Sequence, residues 1–266
     1  MLGQLWKLIT RPGKYLPIAI RDAQERFAPR MVNSAFFLQG QMDINPRCKW
    51  HRPDFIKQTG GYFVPGDPIK REIAPFYPWD LVRRDMLILL MRSLNERRIE
   101  GEMAELGTWQ GISAKVFHYY MPDRPLHLFD TFAGFDERDI HSEAQKTGLK
   151  ASTKEFSDTS VEGVLNYIKP QNGNVHIHQG FFPASVPKDF GMKKFALVHL
   201  DADLYDPILA GLEYFYPRMT QGGFIIVHDY NAWPGARHAA EDFLKGKAEV
   251  GVPMPDKSGS MVITKL

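Results

Sequence analysis

Acidic residues follow two apolar runs in the C-terminal half of the chain, with a spacing that suits metal binding. Asp201 and Asp203 come directly after one apolar run, and the pair His228-Asp229 comes directly after the next. Hard divalent cations such as Mg²⁺ bind carboxylate oxygens and keep water ligands that substrate hydroxyls can replace. Carboxylates clustered without a cation would repel one another, and the pKa of at least one would rise. We therefore expect a divalent-metal site here, with capping of the next helix as the alternative.

A second group of polar and glycine residues lies upstream, again directly after apolar runs. Glu105 begins an acid-x-Gly-x-x-x-Gly pattern through Gly107 and Gly111, and Asp130 follows the next apolar run. Glycines permit a sharp turn and a close approach of a ligand to the main chain. An acid at the end of the second strand of an α/β sheet, here Asp130, can bind both hydroxyls of a ribose. The three-glycine dinucleotide fingerprint is missing. We therefore predict a site for a nucleoside without a pyrophosphate, which S-adenosylmethionine fits; a tight strand–helix turn and a turn cap are the alternatives.

Alternating strand and helix patterns surround these residues. Strands are predicted over residues 103–106, 126–129, 175–178, 195–200, 224–227 and 261–264, with one more short strand near the C-terminus. Helices are predicted over residues 80–97, 113–120, 161–168 (with Ser160 as its N-cap), 208–216 and 236–244. The alternation predicts an α/β fold with a doubly wound, seven-stranded, mostly parallel, Rossmann-like sheet. Ligands bind outside the carboxyl ends of such strands, so we expect both groups of polar residues at one edge of the sheet.

The first 75 residues differ from the rest of the chain in composition and in their pattern of apolar residues. We predict an N-terminal helical and loop extension over residues 1–75 and a main domain over 76–266. Residues 1–33 have a net charge of about +4, which we interpret as a packing or dimerisation arm; contact with a membrane surface is the alternative. The loop-like stretch 57–66 and nearby aromatic residues either cover the site as a lid or pack the extension onto the domain. These aromatic residues are Tyr62, Phe63, Phe76 and Tyr77.

Composition excludes several classes of protein. Hydrophobic residues make up 44% and charged residues 24% of the chain, as in ordinary globular domains. The net charge of +2 provides no global field for nucleic acid, so we expect no nucleic-acid partner. The single cysteine, Cys48, cannot form an internal disulfide. Because neither a secretory signal nor a long apolar span is evident, we expect a cytoplasmic protein.

In combination, these motifs resemble those of the macrocin O-methyltransferase family. The resemblance covers about residues 80–244, and its motifs occur in order along the chain: Glu105-x-Gly-x-Trp109, Asp130-Thr-Phe-x-Gly134, Gly180-Phe-Phe182, Asp201-x-Asp203-x-Tyr205, Tyr216-Pro-Arg218 and His228-Asp229-Tyr230. It implies a class I methyltransferase fold. It also implies a metal-dependent enzyme that uses S-adenosylmethionine to methylate a hydroxyl of a sugar or glycosylated small molecule.

The resemblance implies roles for individual residues. The expected cofactor contacts are Glu105, Gly107, Thr108, Trp109, Gly111, Ser113, Asp130, Thr131, Phe132, Gly180 and Phe181. Asp201 and Asp229 match metal ligands, with Mg²⁺ as the expected ion, and Asp203 matches a proposed general base. The family usually has a second acid where this chain has His228. That histidine either binds the ion, favouring softer transition metals, or acts as a base or substrate contact.

Alternatives exist for the base and for the function. His141, in the predicted loop after Asp130, is the rival of Asp203 as general base, or else a solvated histidine. The remaining strand and helix histidines are interpreted as buried, hydrogen-bonded core residues: His118, His127, His176, His178 and His199. The alternative functions are a metal-dependent glycosyltransferase that uses the Asp201-x-Asp203 pair and a non-catalytic cofactor-binding scaffold. We expect a small-molecule or glycan substrate and a homodimer.

Overall fold

A computed structural model of the chain describes residues 76–77 and 80–266. The chain divides into two units, Met1–Leu81 and Val82–Leu266, and the fold given below is that of the second. The predictions for the arm and the lid fall on residues 1–75 and so lie outside the described residues. Within the described part, no helix is both long enough and apolar enough to cross a bilayer.

Among the described residues, seven strands form a single mixed sheet. They are β1 (Glu102–Leu106), β2 (Leu126–Asp130), β3 (Val175–Gln179), β4 (Phe195–Leu200), β5 (Met219–Val227), β6 (Gly251–Pro253) and β7 (Met261–Thr264). Their order is β3-β2-β1-β4-β5-β7-β6. Strands β1 to β5 are parallel, and β7 runs antiparallel to both of its neighbours. All six residues of β4 are buried, as expected for a strand covered on both faces. The predicted fold class is confirmed.

Six α-helices occur in the described part of the chain. They are α1 (Leu81–Glu96), α2 (Ile112–Tyr120), α3 (Glu137–Thr147), α4 (Val161–Ile168), α5 (Tyr205–Phe215) and α6 (Pro234–Leu244). Helices α3, α5 and α6 contact one another, and α2 contacts α4. The side chain of Ser160 accepts a hydrogen bond from the Gly163 amide at 3.1 Å, which confirms the predicted N-cap of α4.

Three features differ from the sequence prediction. Helix α3 occupies the segment predicted as a loop, so His141 lies on a helix. This helix is capped by Asp136 at its start and by Gly148, with φ of 77°, at its end. Strand β5 begins at Met219, because its polar first half still pairs with β4 beyond a register shift. His176 is exposed and His178 half-buried, rather than buried as predicted, since both lie on the edge strand β3.

The core of the domain contains a cluster of aromatic residues. Phe129 on β2, Phe195 on β4 and Phe215 on α5 pack edge to face, with ring centroids 5.2–5.9 Å apart where they touch. Aromatic pairs in this arrangement add to the free energy of burial by about 0.5–1.5 kcal/mol each. The packing fixes the ends of β2 and β4 relative to α5.

The strand order reverses at β1, which lies between β2 and β4. Backbone hydrogen bonds then hold the carboxyl ends of the central strands in step. The Asp201 amide donates to the Leu106 carbonyl at 2.8 Å, and the His228 amide donates to the Leu200 carbonyl at 2.9 Å. The residues that follow β1, β4 and β5 are therefore neighbours, at the position where doubly wound sheets bind ligands.

Candidate active site

Four side chains from the loops after β4 and β5 converge at this edge. Asp201, Asp203, His228 and Asp229 each place one ligand atom within 4.8 Å of the others. Asp203 and His228 are buried, with 4% and 6% of their surface exposed, and the other two are half-buried. We call these four residues the acidic cluster. The structure thus brings together residues that the sequence placed after two different strands.

Two acids of the cluster have an unusual backbone conformation. The φ angle is 59° at Asp203 and 51° at Asp229, in the left-handed region that non-glycine residues seldom occupy. Residues held in such conformations concentrate at functional sites, because their cost must be offset by the surrounding structure. The two strained positions therefore support a functional rather than a purely structural role for the cluster.

Burial and charge act together on the cluster. Burial raises the pKa of Asp203 well above its ordinary value, and the Asp201 and Asp229 carboxylates raise it further. Burial would also raise the pKa of Asp201, but the nearby His228 outweighs it and lowers that pKa to about 2. Burial lowers the pKa of His228, yet Asp201 reverses this and raises it to about 10. The carboxylates thus create a negative electrostatic potential that favours the binding of a cation.

The donor atoms fit a divalent cation. Asp203 Oδ1, Asp229 Oδ1 and both ring nitrogens of His228 are buried with no hydrogen-bond partner among the described residues. Since buried polar atoms are normally hydrogen-bonded, these atoms have unused capacity. Carboxylate oxygens and an imidazole nitrogen are ordinary ligands of divalent metals. Asp201, His228 and Asp229 are the residues that would hold the ion.

A buried arginine adjoins the cluster, and sequence reasoning missed it. Arg83 on α1 places Nη2 at 3.8 Å from Asp229 Oδ1, and its Nε donates to Asp256 Oδ2 at 3.0 Å. Only 7% of its surface is exposed. The available signal was a basic residue directly before the apolar stretch of the helix. Its guanidinium ties Asp229 to the loop before β7 and adds positive charge to the site.

Glu143 on α3 supports the loop that carries Asp203, and it too was missed. This fully buried carboxylate accepts hydrogen bonds from the Tyr205 amide at 2.8 Å and from Thr147 Oγ1 at 2.7 Å. A Cβ at Gly235, on the first turn of α6, would collide with both Glu143 and the Tyr205 amide. Helices α3, α5 and α6 thus meet in one tight junction, which fixes the first turn of the helix that follows the acids.

Asp130, the predicted ribose acid, organises two loops. Its Oδ2 accepts hydrogen bonds from the amides of Thr108 at 2.7 Å and Trp109 at 2.8 Å, and its Oδ1 accepts one from Phe132 at 2.7 Å. These are the bonds of the turn-cap alternative. A carboxylate offers about four acceptor sites, so Asp130 retains capacity for a ligand hydroxyl. The turn-cap role of Asp130 is therefore observed, and its contact with a ribose stays a prediction.

Glu105 is fully buried and lies beside β4. Its Oε1 accepts a hydrogen bond from Ser113 Oγ and lies 2.9 Å from Nδ1 of His199, its cross-strand neighbour. Its Oε2 is buried with no partner in the described structure. Burial raises the pKa of Glu105, although His199 opposes this. His199, like His118 and His127, is buried as predicted, and the cofactor contact expected of Glu105 stays a prediction.

Gly107 brings the loop after β1 against the loop that carries the acids. Its φ is +84°, and a Cβ there would collide with the Asp201 carbonyl. The side chain of Thr108, in the same loop, is buried with Oγ1 lacking a partner among the described residues. Gly111 begins α2 in the left-handed conformation. The predicted nucleoside loop and the acidic cluster are therefore in direct backbone contact.

The other expected cofactor residues line the turns after β2 and β3. Thr131 Oγ1 donates to the Gly134 carbonyl at 2.7 Å, and Phe132 is buried with φ of 54°. The Gly180 amide donates to the Asp130 carbonyl at 2.9 Å, which joins the two turns. The guanidinium carbon of Arg138 lies 3.7 Å from the ring centre of Phe181, a cation–π contact.

The segment that contains Phe156 and Asp158 contacts the loop after β1, and sequence reasoning missed it. Trp109 Nε1 donates to Asp158 Oδ1 at 2.8 Å, and the side chain of Gln110 donates to the same carboxyl group at 3.0 Å. The rings of Trp109 and Phe156 meet edge to face at 5.6 Å. His141 lies apart from these contacts as an exposed residue of α3, bonded to Gln145 at 2.9 Å.

The chain is similar to a family of known proteins and to individual members of known function. The family model described as Macrocin-O-methyltransferase (TylF) matches residues 82–259. The chain is similar to the 8-demethyl-8-(2,3-dimethoxy-alpha-L-rhamnosyl)-tetracenomycin-C 4'-O-methyltransferase of Streptomyces olivaceus, with 26% identity over 68% of this chain and 72% of that enzyme. It is also similar to the Mycinamicin III 3''-O-methyltransferase of Micromonospora griseorubida, with 26% identity over 54% of this chain and 61% of that enzyme.

A solved structure gives the same result for the fold. The structure of the O-methyltransferase NovP superimposes with a TM-score of 0.60 at 17% identity, covering 89% of this chain and 99% of that chain. This likeness supports the Rossmann-like α/β fold of the chain.

Proposed function

Because the chain belongs to the macrocin O-methyltransferase family, we propose that it transfers a methyl group from S-adenosylmethionine to a hydroxyl of a sugar or glycosylated small molecule, assisted by a divalent metal. The observation that carries the proposal is the contact between the loop after β1 and the loop after β4, at the place where the strand order reverses. Gly107 of the predicted nucleoside loop abuts the Asp201 carbonyl of the acidic cluster. A cofactor at the first loop and a hydroxyl at the second would therefore be adjacent.

The protein's part in this chemistry is orientation and proton removal. S-adenosylmethionine, when bound, supplies an electrophilic methyl group on its sulfonium. Asp130, with its spare acceptor capacity, would bind the ribose, and the amides it holds would fix the loop around the cofactor. Holding acceptor hydroxyl and cofactor in line lowers the entropy cost of the displacement.

Asp203 is our proposed general base. A sugar hydroxyl is a weak acid, and a base removes its proton best when its own pKa lies close to the working pH. Burial and the neighbouring carboxylates move the pKa of Asp203 in that direction. Asp201, His228 and Asp229 would hold the divalent cation, which supplies Lewis acidity to a chelated hydroxyl. His141, exposed on α3, stays the rival base.

The proposed acceptor class follows from the relatives. One of them is named for methylation of a rhamnosyl-tetracenomycin, which supports a sugar hydroxyl as the acceptor here. The family also favours methyl transfer over the glycosyltransferase alternative, in which the Asp130 loop would have no use. A cytoplasmic location and a homodimer are expectations that belong to the same proposal, whereas Mg²⁺ is only the ion that the family resemblance implies.

The test is transfer of radiolabel from methyl-labelled S-adenosylmethionine to a panel of glycosylated small molecules, with and without a chelator. We expect labelled product that disappears in chelator and in Asp201→Asn. Binding of S-adenosylhomocysteine, measured by calorimetry, should persist in both cases, since the nucleoside loop is intact. Full activity in chelator would remove the metal from the proposal, and failure to bind S-adenosylhomocysteine would refute it entirely.

A further inference from the structure

The donor set of the acidic cluster is mixed rather than purely carboxylate. His228 differs from the other residues of the cluster, because it contributes a ring nitrogen beside the carboxylate oxygens of Asp201 and Asp229. Mg²⁺ favours oxygen ligands, whereas imidazole nitrogen suits zinc, iron, nickel and copper. The difference at this one position therefore bears on which ion the site selects.

The geometry of His228 is that of a ligand rather than of a hydrogen-bond donor. Its Nδ1 lies 2.5 Å from Asp201 Oδ1 and 3.2 Å from Asp229 Oδ2. Despite these short distances, Nδ1 has no hydrogen-bond partner in the described structure, because its N–H direction is not aimed at either oxygen.

Ligands side by side on one ion show this arrangement. Adjacent positions of an octahedron with bonds of about 2.1 Å are about 3.0 Å apart, and each donor points at the ion rather than at its neighbour. The two distances at Nδ1 bracket this value. Only 6% of the surface of His228 is exposed, so water cannot easily take the place of an ion as its partner.

We propose that His228 binds the metal directly and makes this centre selective for a first-row transition-metal dication over Mg²⁺. The inference rests on the proposed function, since it concerns the ion of the same site. Affinities at sites with nitrogen donors rise from Mn²⁺ through Co²⁺ to Cu²⁺. An aspartate at position 228 would give an all-oxygen site and weaken this preference.

The test compares the full-length protein with His228→Asp, both freed of metal by a chelator. Co²⁺ serves as the probe, because its visible absorption reports nitrogen ligation, and Mg²⁺ is the competitor. Calorimetry should show that the wild type binds Co²⁺ at least about 100-fold more tightly than Mg²⁺. In His228→Asp this ratio should fall by at least about tenfold, and the Co²⁺ absorption bands should shift.

Two controls keep the outcomes separate. His127→Gln, which removes a buried histidine away from the cluster, should leave the Co²⁺ to Mg²⁺ ratio unchanged. His228→Asn serves if His228→Asp does not fold, and it should lose Co²⁺ affinity in the same way. Equal ratios in the wild type and the variants, or a wild type that binds neither ion, would overturn the proposal. Binding of S-adenosylhomocysteine, measured on the same samples, tests the methyltransferase assignment independently.

Discussion

Two clusters in this domain pair carboxylates with histidines, and they differ in how their polar atoms are satisfied. The first is the acidic cluster. The second, which we call the strand cluster, consists of Glu102, His127, His178 and Lys193. There, His127 lies 2.6 Å from Glu102 and 3.0 Å from His178, while Lys193 donates to both oxygens of Glu102 at 2.8 Å.

The histidine pKa values are shifted in opposite directions in the two clusters. Burial lowers the pKa of His127 to about 4, although Glu102 opposes it, and burial lowers the pKa of His178 to about 4 as well. At His228 the Asp201 carboxylate instead overcomes burial and raises the pKa to about 10. In the strand cluster, the positive charge of Lys193 balances the negative charge of the Glu102 carboxylate. The acidic cluster has more carboxylates than built-in cations, and this imbalance distinguishes a ligand site from a structural network.

The largest effect should come from removing the base of the acidic cluster. Asp203→Asn keeps the shape of the side chain but cannot accept a proton from a hydroxyl. We expect methyl transfer to fall by about 100- to 10,000-fold, measured with labelled S-adenosylmethionine. The free energy of unfolding in the metal-free state should change by less than about 1 kcal/mol, because the amide keeps the shape of the side chain and places no charge beside the Asp201 and Asp229 carboxylates.

The strand cluster provides the matched control for that variant. His127→Gln removes a buried histidine next to a carboxylate, yet it should not change the rate of methyl transfer. If His127→Gln reduced the rate as strongly as Asp203→Asn, the distinction between a satisfied network and a site would be wrong. Full activity of Asp203→Asn would transfer the role of base to His141, which His141→Gln would then test.

An intermediate effect should come from the buried carboxylate that supports the acidic cluster. Glu143→Gln can keep an oxygen on the Tyr205 amide while its NH2 faces Thr147 Oγ1, so the bonds of a charged carboxylate are replaced by weaker bonds of a neutral amide. We expect the free energy of unfolding in urea to fall by about 1–3 kcal/mol. Glu137→Gln, an exposed change on the same helix, should cost only a few tenths of a kcal/mol, about the size of a helix-dipole interaction. Equal effects would show that the junction is not specific.

The fold was largely predictable because its strands are short apolar runs bounded by polar turns. Strand β4 matches its predicted bounds, as do α4 and β7. Helix α3 was missed because Ile140 and Ala144 are almost its only apolar residues, so it has no helical stripe. Its termini were nevertheless readable, since Asp136 is an N-cap and Gly148 a C-cap.

The candidate site was predictable only in part. The position of the acids after strands placed them at one edge of the sheet, because parallel strands share the direction of their carboxyl ends. Which groups they contact depends on strand order and helix packing, which no local pattern contains. Glu105 faces His199 because β1 pairs with β4, and Glu143 reaches Tyr205 because α3 packs on α5. Both partners come from distant parts of the sequence.

The smallest effect should be on the pH dependence of stability, and it concerns the strand cluster. The pKa of His127 is about 4 in the folded protein against an ordinary 6.5, so the unfolded chain binds more protons between these values. Stability should therefore fall as the pH drops from about 6.5 towards 4. His127→Gln should reduce this loss between pH 7 and pH 5 by about 1–2 kcal/mol, measured by urea unfolding at each pH. An unchanged pH dependence would mean that His127 is protonated in the folded state and that the strand cluster is not satisfied as its distances indicate.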